Sequence, residues 1–288
     1  MKNNKNTYIM LIPWILVFLI FWLYPILYTG YLSLTDYQTL TNSVKYVGLK
    51  NYKTIFNDNI FWIALRNTVL FTLGTVPFTV SIALILANLL NNKLVKFRNF
   101  FRASYFLPSV TSLVVISLIF TNLYSSDGYI NIILKSLGLP TSQLGWLNNT
   151  KTSLLSIMIM DIWSACGYYM VIFLAAIQSI PEHLYDAAKL VGAKPFYVLR
   201  RITIPLIKPT IAFVLIVNII KSFQVFMEIY IMTKGGPLNS TTTLVYMIFT
   251  NAFEKTDTLG YASAIAYVLF ILLLIISFFQ LKFMKNTN

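Results

Sequence analysis

Six stretches of the chain, roughly residues 8–34, 62–91, 104–124, 152–179, 206–232 and 261–282, each hold a predominantly apolar run of about 20 residues or more. That length matches the hydrocarbon core of a bilayer crossed by an α-helix. In lipid every backbone amide must be satisfied within its own segment, so helix is the form such runs take. Composition agrees: 57% of the 288 residues are hydrophobic and 11% charged, against roughly 25% charged in a soluble domain. The expected fold is an all-α integral membrane protein, one transmembrane domain over residues 1–288, with six transmembrane helices and a polar loop at 179–209.

The first stretch follows Lys2 and Lys5. It is too long for a signal-peptide core and no A-x-A-like cleavage site follows, so it reads as a retained first helix. Pro13 and Pro25 predict kinks in it. The net charge of +13 is spread between apolar runs rather than gathered on one face. This distribution excludes nucleic acid as a partner and suits loops beside an anionic bilayer. With the N-terminus inside, the inner segments hold Lys2 and Lys5; Lys93, Lys96, Arg98 and Arg102; Lys189, Lys194, Arg200, Arg201 and Lys208; and Lys282 with Lys285. Glu182 and Asp186 are the only acids among them. The outer loops mix lysines such as Lys45, Lys135 and Lys234 with Asp36, Asp58, Asp127, Glu254 and Asp257. This bias predicts a multi-pass protein of the cytoplasmic membrane with both termini cytoplasmic.

Bond chemistry is not expected. Cys166 is the only cysteine and His183 the only histidine, which cannot build a metal site of three or four ligands. No phosphate-binding loop and no nucleophile–base arrangement stands out. No catalytic residue, metal or cofactor is assigned.

The inner loop from Ser179 to Pro209, SIPEHLYDAAKLVGAKPFYVLRRITIPLIKP, is the chain's most elaborate polar segment. Ser179 and Glu182 fit a capping box, Pro181 fits a first helical turn, and Gly192 falls where a C′ residue belongs. Between them Leu184, Ala187, Ala188 and Val191 form one apolar stripe, with Asp186 and Lys189 opposite. Pro195 can start a second short helix carrying Phe196, Leu199 and the Arg200–Arg201 pair. Such a helix can pack on its own bundle or dock in a partner's groove, and the residues alone support both equally.

The run YDAAKLVGAKPFYVLRRITIPLIKP resembles the E-A-A…G…I-x-L-P signature of the permease subunits of binding-protein-dependent ABC importers. Asp186, Ala187, Ala188 and Gly192 match the E-A-A…G positions, with Asp for the usual Glu, and Ile204, Pro205 and Pro209 match its end. Val191 departs from the acidic residue often found there in the sugar branch. YVGLKNY (Tyr46 to Tyr52), FRASYFLPSV (Phe101 to Val110) and MTKGGPLNSTTTLVYMIF (Met232 to Phe249) resemble further segments of sugar permeases, in the same order. The resemblance implies the type I importer permease fold, with loop 179–209 as the coupling loop that sits in a cleft of an ATPase. Glu182, Leu184, Asp186, Ala187, Ala188, Gly192 and Pro205 would then contact the ATPase. It also implies ATP hydrolysis on a separate ATPase dimer, a second homologous permease, an extracytoplasmic solute-binding protein and a carbohydrate cargo.

Polar groups at membrane depth are candidate pathway residues. Helix four offers Asp161, Trp163, Ser164, Gly167, Tyr168 and Tyr169; helix five offers Asn218, Lys221, Ser222, Gln224 and Glu228. Aromatic faces and amide or hydroxyl groups suit sugars, and Trp163, Tyr168, Asn218 and Gln224 supply them. Resemblance to permeases that place substrate contacts on these two helices extends the expected substrate pathway to Trp163, Gly167, Tyr168, Asn218, Lys221, Ser222 and Gln224. Asn218 and Ser222 share a helix face. The alternative role for each is an interhelical hydrogen bond. Lys221 and Glu228 lie about 10.5 Å apart along an axis, so Asp161 is the better partner for Lys221. The rival roles are attraction of an anionic substrate, such as glycerol-3-phosphate or an acidic sugar, by a free Lys221, and ion coupling through Asp161 and Glu228.

Overall fold

A computed structural model describes residues 4–38, 43–92 and 95–285, with side chains from residue 10 to 282. Lys2 and Lys93, and the side chains of Lys5 and Lys285, therefore lie outside the described residues. The described chain is mostly helical and divides into two compact units, Met1–Trp62 with Met247–Leu274 and Ile63–Tyr246 with Ile275–Asn288.

In the first unit α1 (Asn4–Phe18) runs through Pro13 and continues by a wide π-type turn, Leu19–Leu23, into α2 (Tyr24–Ser33). The widening falls just before Pro25, whose ring would collide with the carbonyl four residues back in a regular helix. Pro25 thus follows a widened turn, and the helix stays continuous at Pro13. A two-stranded antiparallel ribbon follows, β1 (Thr35–Gln38) paired with β2 (Ser43–Tyr46), which the apolar pattern did not foretell. Then comes α3 (Lys50–Asn57), from which Asn51 Nδ2 donates to the carbonyls of Ser33 and Thr35, each at 2.9 Å.

The second unit holds most of α4 (Asn59–Asn91), then α5 (Arg98–Val110) and α6 (Leu113–Leu123), α7 (Tyr129–Ser136) and α8 (Ser153–Gln178). The loop helices α9 (Glu182–Leu190), α10 (Pro195–Val198) and α11 (Ile204–Leu206) lead to α12 (Lys208–Phe223) and α13 (Met227–Met232). Helix α14 (Leu244–Phe249) returns to the first unit, where α15 (Leu259–Lys285) begins. Among the described residues five spans are long and apolar enough to cross a bilayer: Met10–Ser33, Asn59–Asn91, Ser153–Gln178, Lys208–Met232 and Leu259–Lys282. The sixth expected span, 104–124, is instead two helices, α5 and α6, bent by 95°. Pro108 removes one helical hydrogen bond near the end of α5, and Thr111 (φ −78°, ψ 148°) and Ser112 then take extended conformations.

Helix α8 is the centre of this unit: 67% of its apolar window is buried, against none of the first span's. One cluster packs Met170, Phe173 and Ile177 of α8 against Val76, Val80 and Ala83 of α4 and Val214 of α12. A second packs Ile157 and Met160 against Phe71, Ile229 and Tyr246. Close approach matters at Gly167, where a Cβ would fall on the Tyr105 carbonyl of α5. A small residue at this crossing lets the two backbones meet, as is common between membrane helices.

Candidate functional site

Two features on the second unit carry the expected chemistry. The first is the polar loop. Ser179 ends α8 rather than capping α9: its Oγ donates to the Ala176 carbonyl at 2.7 Å, and Pro181 is the N-cap of α9. The capping box expected from Ser179 and Glu182 is therefore absent, because α8 keeps Ser179 in its own last turn (φ −80°, ψ −10°). Glu182 still places an acid in the first turn of α9, where the helix dipole favours it. At the other end Gly192 takes φ +70°. Its N–H donates to Lys189 O and the Ala193 N–H to Ala188 O, each at 3.0 Å, which is the Schellman pattern of a glycine-terminated helix.

The apolar stripe of α9 divides into two edges. Ala188 is buried and Leu184 half-buried, beside Tyr185, whose Oη lies 3.1 Å from Thr203 Oγ1. Ala187, Leu190 and Val191 face outward, Leu190 at 89% exposure and Val191 at 80%. The expected stripe of Leu184, Ala187, Ala188 and Val191 thus packs on its own bundle along one edge and stands open along the other. On the exposed side Asp186 accepts from Lys189 Nζ at 2.9 Å, and this bond holds the ammonium above its usual range. Pro195 opens α10 as expected, while Arg200 and Arg201 sit in a second π-type turn, Leu199–Thr203. Pro205 lies in α11 and Pro209 in the first turn of α12.

The second feature is an open cavity of about 320 Å³ at the bend between α5 and α6. Pro108, Ser109, Thr111 and Leu113 line it from the bend, Ser164, Ala165, Tyr168 and Tyr169 from α8, and Val217 and Lys221 from α12. Lys221 Nζ donates to Asp161 Oδ1 at 3.0 Å, as the spacing argument favoured over Glu228. Of the seven expected pathway residues, Tyr168 and Lys221 line this cavity. Trp163 instead packs on Phe120, ring centroids 5.4 Å apart, and Gly167 serves the α5 crossing. Asn218 and Ser222 do share a face, but it meets α4: Ser222 Oγ lies 3.2 Å from Thr75 Oγ1, and both α12 residues are buried. Gln224 is exposed at the break between α12 and α13. Ser109 and Thr111 were missed, although hydroxyls directly after a proline in an apolar run are a sign of a bent, polar-lined helix.

The Gly235–Gly236–Pro237 loop secures that break. Asn67 Nδ2 of α4 donates to Asn239 O at 2.9 Å and to Thr242 O at 3.0 Å. Thr243 Oγ1 donates to Val225 O at 3.1 Å, supplying a partner to a carbonyl between α12 and α13. No group of three or more metal-ligating side chains occurs among the described residues.

Residues 79–284 match the family described as the inner membrane component of binding-protein-dependent transport systems. The chain belongs to that family. This permease is 38% identical to a probable ABC transporter permease protein of Bacillus subtilis, YurN, over 99% of its own length and 98% of that protein. It is 37% identical to the lactose transport system permease protein LacF of Rhizobium radiobacter, over 96% and 93% of the two chains. In fold it matches a chain of the bacterial alginate ABC transporter crystallised with an alginate pentasaccharide-bound periplasmic protein. That match has a TM-score of 0.84 and 25% identity, covering 96% of the permease and 93% of the other chain. The five spans and the bent α5–α6 pair are thus those of a type I ABC importer permease, a multi-pass membrane protein whose role is transport.

Proposed function

We propose that this permease is the transmembrane half of an ATP-driven carbohydrate importer and that loop 179–209 receives the motion of an ATPase. A lactose permease and an alginate transporter among its relatives support a saccharide cargo. A second permease completes the pathway, a pair of ATPase subunits hydrolyses ATP, and an extracytoplasmic binding protein delivers the sugar. Both termini lie in the cytoplasm, on the side of α9. The observation that carries the coupling role is the outward edge of α9, Ala187, Leu190 and Val191, an apolar face held at a fixed angle by the Gly192 cap. Glu182, Leu184, Asp186, Ala188 and Pro205 shape that loop. ATPase closure rocks α8 and α12 against the bent third span and alternately opens the cavity at Tyr168 and Lys221.

An ion-coupled mechanism through Asp161 is not favoured, since its carboxylate is engaged by Lys221. The test is a pull-down of the mildly solubilised native complex, comparing wild type with Ala187→Asp/Leu190→Asp. Wild type brings down an ATPase and a second permease, and the variant loses the ATPase alone. A permease that comes down by itself in both cases would defeat the importer assembly.

A further inference from the structure

Among the described residues lining the cavity, Lys221 is the only charged one; the rest of its polar surface is hydroxyl, from Ser109, Thr111, Ser164, Tyr168 and Tyr169. A lone ammonium among hydroxyls and apolar groups would favour anions, because charge interactions strengthen as the local dielectric falls below that of water. Its countercharge stands behind it. Asp161 is not part of the lining, its side chain is 3% exposed, and its Oδ1 holds Lys221 Nζ at 3.0 Å while the lysine side chain remains 44% exposed. Glu228, the other acid nearby, is likewise buried and outside the lining.

We propose that Asp161 is a specificity-determining residue: by cancelling the charge of Lys221 from behind, it makes the cavity a site for uncharged saccharides and closes it to acidic ones. This rests on the cavity being the saccharide site. An uncharged sugar then meets the Tyr168 ring, half-exposed on α8, and neutral donors and acceptors around it. An acidic sugar meets a cation whose charge a carboxylate already offsets, and must desolvate its own charge for little net attraction.

The experiment is equilibrium binding to the assembled transporter, permeases with ATPase, in nanodiscs and without the binding protein, so that only the membrane site is read. The probes are labelled maltotriose and labelled trigalacturonate, of equal length, the first uncharged and the second anionic. Wild type favours maltotriose. Asp161→Asn shifts the trigalacturonate-to-maltotriose affinity ratio upward by roughly tenfold or more, and adding Lys221→Met to it removes that gain. The exchanged pair Asp161→Lys/Lys221→Asp turns the ratio against trigalacturonate again, and it keeps a countercharge should the single variant fold poorly. An unchanged ratio in Asp161→Asn, or a wild type that prefers trigalacturonate, overturns the proposal while leaving the site in place. If Tyr168→Ala leaves binding of both probes as in wild type, or neither probe binds wild type, the site reading itself falls and the proposal with it.

Discussion

Lys221 of α12 donates to Asp161 of α8 at 3.0 Å, and the two ends of the bond differ in exposure, 44% for the lysine side chain against 3% for the carboxylate. An exposed ion pair contributes ~0–1 kcal/mol, whereas breaking a buried one costs ~3–5 kcal/mol because a charge is left without a partner. This pair lies between those limits and is asymmetric. Removing the lysine strands a carboxylate in the bundle; removing the aspartate leaves an ammonium that already reaches the cavity. Lys221→Met is therefore expected to destabilise the solubilised permease more than Asp161→Asn does, by about 1–3 kcal/mol. Asp161→Asn/Lys221→Met should recover most of the loss. Thermal melting in detergent measures this, and equal losses in the two single variants would mean that burial does not set the cost.

Gly167 sits where α8 crosses α5, and a methyl group there would overlap the Tyr105 carbonyl. Neither backbone can yield without moving its helix. Gly167→Ala is expected to cost about 1–3 kcal/mol, as overpacking in a close-packed interior does, and Gly167→Leu to prevent stable insertion. A second effect follows from position, since the same crossing shapes the bend that lines the cavity. Sugar uptake at matched membrane levels should fall in Gly167→Ala by more than the melting shift accounts for. A variant with wild-type melting would remove the packing role.

What could be read from the sequence follows a physical division. The spans were legible because apolar length is a property of one segment and lipid leaves helix as the only form for it. The break in the third was not, because Pro108 announces a kink but not its size, and the 95° bend is reached at two extended residues beyond it. The Lys221–Asp161 bond was legible because helical rise put Glu228 out of reach. Asn218 and Ser222 show the opposite case. Their spacing gives a shared face, but periodicity says nothing about which neighbour that face meets, and it meets Thr75 of α4 rather than the cavity. Ser179 failed similarly: a serine three residues before a glutamate fits a cap, yet the same hydroxyl served the helix that was ending.

Gly192 terminates α9 at φ +70°, and a Cβ added there would meet nothing within 4 Å. Any effect of substitution is then one of backbone conformation alone. A β-carbon in the left-handed region costs roughly 1–2 kcal/mol, and asparagine is among the residues that bear it best. Gly192→Val should fray the last turn and tilt the exposed Leu190 and Val191, whereas Gly192→Asn should keep both Schellman bonds. The amount of ATPase recovered with the permease should rank wild type, Gly192→Asn, Gly192→Ala, Gly192→Val. Recovery insensitive to this series would detach the cap from coupling.

Thr75 and Thr79 are four apart on α4, as are Asn218 and Ser222 on α12. The one bonded pair, Thr75 with Ser222, sets the register. One turn from that bond on each helix, Thr79 Oγ1 and Asn218 Nδ2 are both buried without a hydrogen-bond partner among the described residues. Leaving a buried donor unmade costs ~1–3 kcal/mol, whereas replacing both groups by apolar ones of similar shape is neutral or favourable. Thr79→Val/Asn218→Leu is accordingly expected to melt at or above the wild-type temperature, while Ser222→Ala, which breaks the bond that is made, costs about 0.6 kcal/mol. Uptake measured on the same double variant separates the two roles open to Asn218. Stability kept with transport lost assigns the amide to the moving pathway, and stability and transport both kept make it packing that the bundle tolerates.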